Sequence, residues 1–437
     1  MRFRCWFASL PSPGVLLLLL AAGIGAGAAD DLPPELLLLS RFKQQVQHDI
    51  GGLANCTCLE TIERSVRPPD ANSFQFLDRV RLEVTAAGDK ELLTWPGGTH
   101  FEDWAVTAFV KSGLVATGLF GSYAQNLFAG GGAVFKYVGP EESEGRHTVR
   151  YDFRVPLLSS AYRLRTSAGA AVLPTKGSFW FDADSLQLIR LDQFADEIPA
   201  GLGLTGALTR IHFARLPNDM LIPQTAEIEL THSSGEVRRN KIDFAQCREY
   251  RAESSINFGT ADVNAEASKS ETAQVDLPAG LKIKMELESG LDSATAAIGD
   301  AVRAVLIEDV RRNGIKIVPK GALVTGRVRN MDRQARVRGF VVGIEWNELR
   351  WANNRAPFHG ELLEASAGEQ TKRTGEKEAG ANVVPLAGEA PSLEIADNSG
   401  ASRRVASRVP GVGMIFLKGE QWRLAPGLSM VWLTAAP

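Results

Sequence analysis

Cysteine is the residue type in this chain with the clearest capacity for chemistry. Of four cysteines, Cys5 belongs to an N-terminal leader, and Cys56, Cys58 and Cys247 lie beyond it. In an oxidising compartment cysteines pair by default, and an odd number leaves one thiol over. Because Cys56 and Cys58 are separated by one residue in a predicted strand, we expect them to point to opposite faces, so that only one bonds Cys247. The alternative is a metal site of all three sulfurs, which lacks the fourth ligand usual for structural zinc.

Histidine and carboxylate side chains form no recognised catalytic pattern. The six histidines are scattered, and none has the spacing of a helical metal-binding motif. His100, Glu102 and Asp103 are close enough in sequence for acid–base or metal chemistry, but we favour a polar loop that leads into a helix. The chain contains no Gly-x-Ser-x-Gly nucleophile motif. We therefore predict no catalytic residue, no metal and no cofactor.

Arginine is concentrated in one short segment of the second half of the chain. A guanidinium group binds carboxylate or phosphate in a bidentate geometry, so this segment is a candidate surface for an anion or a protein partner. A solvated hairpin with alternating outward arginines is the alternative. The candidate residues are Arg327, Arg329, Arg333, Arg336 and Arg338.

Aromatic side chains are concentrated in the first half. In a curved sheet such rings line a cavity for a hydrophobic ligand, or they fill the same space as a packed core. The sequence leaves both possibilities open. The candidate cavity residues are Phe76, Trp95, Trp104, Phe120, Phe128, Phe179 and Phe181.

Strands position most of these residues. Apolar Val80, Leu82 and Val84 alternate with charged neighbours, and this period of two recurs through the first half, which predicts an antiparallel sheet with one buried face. An apolar stripe of helical spacing predicts a helix over 36–53. Asn313-Gly314 lies between two apolar runs and predicts a hairpin turn.

Composition and the N-terminus limit the possible functions. Hydrophobic residues make up 44% of the chain and the formal net charge is −3, so nothing favours nucleic acid as a partner. Residues 1–29 have the basic start, apolar run and small-residue end of a cleaved secretory signal. The apolar run is too short for a transmembrane span, and no later run is longer. We expect a periplasmic or secreted protein.

Changes in composition divide the rest of the chain. Residues 259–272 and 361–408 are poor in large apolar side chains, which is typical of a linker and of a disordered insertion. The predicted organisation is a signal peptide (1–29), a half-barrel with an N-terminal helix (30–258), a linker (259–272), a C-terminal β-domain (273–360 and 409–437) and the disordered insertion (361–408).

The segment GSFWFDADSLQLIRLDQFADEIP at 177–199 resembles the half-barrel of LolA-like, lipoprotein-sorting proteins. Together with CLETIER at 58–64 and CREYRAESSINF at 247–258, it is similar to a group of secreted acidobacterial proteins. The resemblance implies a curved antiparallel sheet wrapped around helices, with an interior that carries an acyl chain in some members. Most members of the group have an aromatic residue at the position of Cys56, which favours Cys58 as the partner of Cys247.

A second resemblance concerns the C-terminal region. LPAGLKIKMELESGLDSATAAIGDAV, from Leu277, and IVPKGALVTGRV, from Ile317, are similar to the C-terminal β-domain of TrbI-type proteins of conjugation channels. We thus predict a mainly β fold with few helices, in which a LolA-like half-barrel precedes a smaller β-barrel or sandwich. The predicted function is non-enzymatic binding of a lipid or lipoprotein, with the C-terminal domain docking to an envelope protein. The alternative is an assembly module with a filled core.

Overall fold

The structure is a computed structural model. It describes residues 32–88, 90–98, 100–102, 109–110, 114–143, 145–249, 273–335, 338–366, 384–385, 394–396, 402–404, 411–419 and 421–436. The predicted signal peptide and the predicted linker 259–272 lie outside the described residues. Within them, no helix is both long enough and apolar enough to cross a membrane.

The first sheet is antiparallel throughout and has the strand order β3-β2-β1-β12-β11-β10-β9-β8-β5-β4. A separate hairpin of β6 and β7 lies between β5 and β8 in sequence. The strands are β1 (Cys56–Arg67), β2 (Gln75–Ala87), β3 (Lys90–Thr94), β4 (Val134–Ser143), β5 (Arg146–Val155), β6 (Arg163–Thr166), β7 (Gly169–Val172), β8 (Thr175–Asp182), β9 (Leu188–Ala195), β10 (Leu204–Arg215), β11 (Leu221–His232) and β12 (Val237–Glu249).

The first sheet curves into a half-barrel, and α1 (Pro34–Gly52) lies against its concave face. The buried stripe of α1 consists mainly of the apolar residues that predicted it, because a helix of 3.6 residues per turn places them on one side. Two polar contacts fix the helix at its ends. The Tyr151 hydroxyl donates to the Glu35 carbonyl oxygen over 2.6 Å, and Arg215 bonds the Asp49 carboxylate over 2.9 Å. A second helix, α2 (Ser122–Ala129), follows.

The second sheet belongs to the C-terminal half. Its main path runs β13-β21-β20-β19-β16-β14-β28-β22, and β26 pairs with β20 and β23 beside that path. Its strands are β13 (Ala273–Gln274), β14 (Lys282–Leu287), β16 (Ala301–Leu306), β19 (Leu323–Gln334), β20 (Gly339–Trp351), β21 (Asn354–Pro357), β22 (Gly360–Ser366), β23 (Val384–Pro385), β26 (Val412–Lys418) and β28 (Ser429–Thr434).

Three short strand pairs complete the described elements. The turn of one pair contains Asn313 and Gly314, both with positive φ, as the sequence predicted for a tight hairpin turn. The pairs are β15 (Leu291–Asp292) with β27 (Arg423–Leu424), β17 (Val310–Arg312) with β18 (Ile315–Val318), and β24 (Glu394–Ala396) with β25 (Ser402–Arg404).

The predicted fold class is confirmed: the protein is mainly β with few helices, and a curved antiparallel half-barrel precedes a second β region. One boundary needs correction. The composition of residues 361–366 predicts disorder, but these residues belong to β22, which pairs with β28. The segment has few aromatic side chains, and its partner strand lies far along the chain. No local sequence pattern therefore indicated a strand here. Most of the remaining predicted insertion, through residue 408, lies outside the described residues.

Candidate functional site

A disulfide joins Cys58 of β1 to Cys247 of β12. The register of the two strands explains the contact: Thr57 pairs with Arg248 and Leu59 with Ala245, so that β12 has extra residues opposite Cys58. Gln246, one of these extra residues, has a φ of 51°, as expected in a bulge. The disulfide therefore has the partners that the resemblance implied, and Cys56 is free and buried.

The expected separation of Cys56 and Cys58 is wrong. Residues two apart in a strand share a face, and the two Sγ atoms are 3.7 Å apart. All three cysteine sulfurs lie within 4.8 Å of one another. Burial raises the pKa of the Cys56 thiol to about 11, against a smaller opposing effect of the Arg248 guanidinium.

Three of the predicted cavity aromatics form a packed core with α1. Phe42 of α1 stacks on Phe179 and Phe181 of β8 with ring centroids 5.2 and 4.1 Å apart, and it meets Phe128 of α2 edge-on at 5.1 Å. Phe120 packs against Phe244 of β12 at 5.6 Å. These side chains are fully or nearly fully buried. Of the two possibilities that the sequence left open, this part of the half-barrel shows the filled one.

The other described aromatic candidates lie where the two halves of the chain meet. Phe76 of β2 contacts Phe340 of β20 with ring centroids 6.3 Å apart. The Trp95 ring lies beneath the guanidinium groups of Arg327 and Arg329, at 5.2 and 4.8 Å. Trp104 lies outside the described residues. None of the six described candidates is among the described residues that line the cavity reported below.

The described arginine candidates mostly contact the rest of the chain. Besides the two arginines over Trp95, Arg333 donates to the Gln75 side-chain oxygen over 2.9 Å. Arg329 also pairs with Glu345 across the hairpin at 3.1 Å. Arg338 is exposed in the turn between β19 and β20, and Arg336 lies outside the described residues. Three of the arginines predicted to bind a partner thus face the first half of the same protein.

The same junction contains backbone hydrogen bonds. The Arg81 N–H donates to the Ile298 carbonyl over 2.8 Å, and the Ile298 N–H donates to the Arg79 carbonyl over 2.7 Å. Arg81 also forms an ion pair with Asp300. Gly299, at a φ of 104°, allows this close approach, because a Cβ there would lie 2.3 Å from the Arg81 carbonyl oxygen.

A cavity of about 500 Å³ lies at the end of the concave face away from the stacked phenylalanines. Val155 continues the inward-facing alternation of Tyr151 and Phe153 on β5, and Thr175 continues that of Phe179 on β8. The lining mixes apolar and polar groups: Lys90, Glu91, Thr117, Gly118, Ser122, Tyr123, Asn126, Leu127, Val155, Ser159, Ser160, Ala161, Tyr162, Arg163, Thr175 and Gln193. None of these residues is among the candidates predicted from the sequence.

Glu91 ties one wall of the cavity to α2. Its carboxylate accepts hydrogen bonds from the backbone N–H groups of Gly118 at 2.6 Å and Phe120 at 2.5 Å, just before the helix begins. Burial raises the pKa of Glu91, and these backbone donors oppose the rise. Glu91 therefore fixes the backbone of the loop that leads into α2.

A second carboxyl group is buried behind this wall. Glu60 of β1 is 5% exposed, between its strand neighbours Leu82 and Phe244. Burial raises the pKa of Glu60 to about 8, and the charge of Glu91 adds to the rise. A sequence signal for Glu60 existed, since it occupies the inward phase of β1 between buried Cys58 and Ile62.

The predicted polar group of His100, Glu102 and Asp103 forms no site within the described residues. His100 and Glu102 are exposed, and Glu102 exchanges backbone hydrogen bonds with Leu93. Asp103 lies outside the described residues. Among the described residues, the cysteine cluster is the group of ligand side chains close enough to hold one metal ion.

No protein-family model matches the chain, and no curated protein matches it. Similar solved structures include an outer-membrane lipoprotein-sorting protein domain from Vibrio parahaemolyticus, with 12% identity, a TM-score of 0.29 and coverage of 48% of this chain and 92% of that chain. A LolA superfamily protein from Nitrosomonas europaea has 13% identity, a TM-score of 0.27 and coverage of 48% and 93%. A DUF1329 family protein from Desulfovibrio piger has 12% identity, a TM-score of 0.28 and coverage of 51% and 95%. Likenesses at this level of identity and TM-score carry no conclusion about a ligand or a partner.

Proposed function

We propose that this chain is a non-enzymatic cell-envelope protein whose half-barrel binds an amphiphilic ligand, either a lipid or the lipid group of a modified partner. The observation that carries the proposal is the cavity of about 500 Å³ on the concave face. Small-molecule sites are concave, of about 300–1,000 Å³, and combine apolar walls with a few polar groups that orient the ligand. In this division of roles, the half-barrel holds the ligand and the second sheet forms a separate docking region.

The lining suits an amphiphile in particular. Leu127, Val155 and the rings of Tyr123 and Tyr162 provide apolar surface, and the two tyrosine rings meet edge-on at 6.2 Å. Lys90 and Arg163 are exposed members of the same lining and supply positive charge toward solvent. An apolar chain directed inward and an anionic head directed at these side chains would satisfy both kinds of surface.

The first test is native mass spectrometry of the full chain, purified gently from its own cell envelope and followed by lipid extraction. We expect a stoichiometric mass excess that is released as a lipid. A protein without mass excess that also fails to bind an added amphiphilic dye would contradict the proposal. Ala161→Trp, which places a large side chain at the cavity, should reduce dye binding at least tenfold. Ala183→Trp, an exposed alanine in the turn after β8, is the matched control and should bind dye as the wild type does.

A second function is favoured by a different observation. The phenylalanine stack around Phe42 fills the other part of the concave face, and Ile298, in the loop before β16, forms backbone hydrogen bonds with β2. A protein built in this way could serve as an assembly module that holds an envelope partner without a small ligand. An empty cavity in the native mass spectrum, together with co-purification of one defined envelope protein, would favour this function.

A further inference from the structure

Three sulfur atoms converge at the bulged junction of β1 and β12. Those of Cys56, Cys58 and Cys247 all lie within 4.8 Å of one another. Cys56 and Cys58 are fully buried, and Cys247 is half-buried. In the oxidised chain the disulfide occupies two of these sulfurs, and the third is adjacent to it without being part of it.

The spacing of the unbonded pair is that of two ligands on one metal. Two sulfurs that share an ion at a metal–sulfur distance of about 2.3 Å lie ~3.7–4.0 Å apart, depending on whether the site is tetrahedral or trigonal. The Sγ atoms of Cys56 and Cys58 are 3.7 Å apart. For all three sulfurs to surround an ion, those of Cys58 and Cys247 would have to separate.

The strand register allows this separation. In β12, Ala245 and Arg248 are the residues that pair with β1 on the two sides of the bulge. Cys247 lies between them and has no paired residue in β1. Its sulfur can therefore move away from Cys58 without breaking a ladder hydrogen bond. A dithiol reductant would supply the two electrons and two protons that turn the disulfide into two thiols, and the reductant would leave as a disulfide.

We propose that the reduced protein binds one Cu(I) ion through Cys56, Cys58 and Cys247. Thiolate sulfur is the soft ligand that Cu(I) prefers. Structural zinc is almost always four-coordinate, whereas the cluster within the described residues has three ligands and no fourth. The ion replaces the three thiol protons, which pass to solvent. The nearby Arg248 guanidinium, which favours a charged Cys56 sulfur, offsets part of the resulting negative charge.

The site would be controlled by redox state. With the disulfide intact, one free sulfur remains, and a single buried thiol cannot enclose an ion. Reduction changes the number of available thiols from one to three at the same position. Cys56 thereby acquires a role that the disulfide alone does not give it.

The experiment uses the full chain, reduced without oxygen by a phosphine and titrated with Cu(I) against a coloured Cu(I) chelator. We expect the reduced protein to take one equivalent from the chelator and the oxidised protein to take none. X-ray absorption at the copper edge should then show three sulfur neighbours. No uptake by the reduced protein, or two sulfur neighbours, would overturn the proposal.

Two variants identify the third sulfur. Cys56→Ala leaves the disulfide cysteines in place, and after reduction its Cu(I) affinity should fall at least tenfold. Thr57→Ala, a truncation of the buried residue between the two cysteines, is the control and should keep the wild-type affinity. Equal affinity in Cys56→Ala and the wild type would mean a two-sulfur site and would refute the proposal. If Cys56→Ala does not fold, the sulfur count of the wild-type protein decides the question.

Discussion

The concave face of the half-barrel has two ends that are built differently from the same strands. Along β8 the inward-facing residues change from Thr175 and Gly177 to Phe179 and Phe181. The phenylalanine end is closed by Phe42 of α1, and the other end is covered by α2 and keeps a cavity of about 500 Å³. The difference shows that a curved sheet does not itself determine whether its interior is filled. The side chains on the inner face of the sheet, together with those of the covering helices, do.

The largest effect is expected at the filled end. Phe42→Ala removes a fully buried ring that contacts three other phenylalanines, and it should lower the free energy of unfolding by about 3–5 kcal/mol. Urea unfolding followed by circular dichroism measures the change. Leu37→Ala, a 47% exposed leucine on the same helix, is the control and should change stability little. A loss below about 1 kcal/mol for Phe42→Ala would mean that this end collapses without the ring.

The disulfide should come next, because it joins β1 and β12, two neighbouring interior strands of the sheet that carries both ends. Cys58→Ala should cost about 2–5 kcal/mol under oxidising conditions, since the bond closes a loop between residues 189 apart. Under reductant the variant and the wild type should melt within a few degrees of each other. Cys56→Ala keeps the bond and provides the control. An equally large loss in that variant would assign the effect to packing.

The pH dependence of stability tests the effect of burying the carboxyl group of Glu60 behind the wall of the cavity. Its folded pKa of about 8 exceeds the ordinary 4.5, so the folded protein retains a proton that the unfolded chain releases between these values. Stability should therefore fall as the pH rises through this window. Glu60→Gln removes the penalty and should be more stable than the wild type by a few kcal/mol at about pH 9, with little difference at about pH 4. The control is Glu63→Gln, on the same strand as Glu60; the Glu63 side chain pairs with Arg79 of β2. Parallel stability curves for Glu60→Gln and the wild type would contradict the burial argument.

The smallest effect is expected at the cavity end. Tyr123 forms a side-chain hydrogen bond with Thr209, which is 2% exposed. Tyr123→Phe leaves that hydroxyl without this partner and should cost about 1 kcal/mol in unfolding free energy. The ring itself remains, so dye binding should change by less than a factor of three. A loss as large as that of Phe42→Ala would erase the proposed difference between the two ends.

The sequence predicted strands and the helix because alternation and helical spacing are local properties. It could not decide whether Phe179 and Phe181 line or fill a space, since the side chain that fills it, Phe42, comes from a distant segment. Arg327 and Arg329 were recognised as a cluster, but the ring that they contact belongs to Trp95 in the other half of the chain. The cavity residues come from six or more separate segments of the chain and share no motif. Only the inward position of Glu60 on β1 could have predicted a buried polar group in the interior.

The hydrogen bonds around Ile298 have a consequence for the half-barrel as an isolated unit. β3 pairs with β2 from Glu83 to Ala87, so the remaining edge of β2 is partnered by Ile298 of the second half. Residues 30–258 produced alone would present that stretch of edge to other molecules, together with the rings of Phe76 and Trp95. Unprotected strand edges beside apolar side chains template self-association. In the intact chain the second half covers this stretch of edge, and separating the two halves should yield aggregates that share intermolecular β-structure.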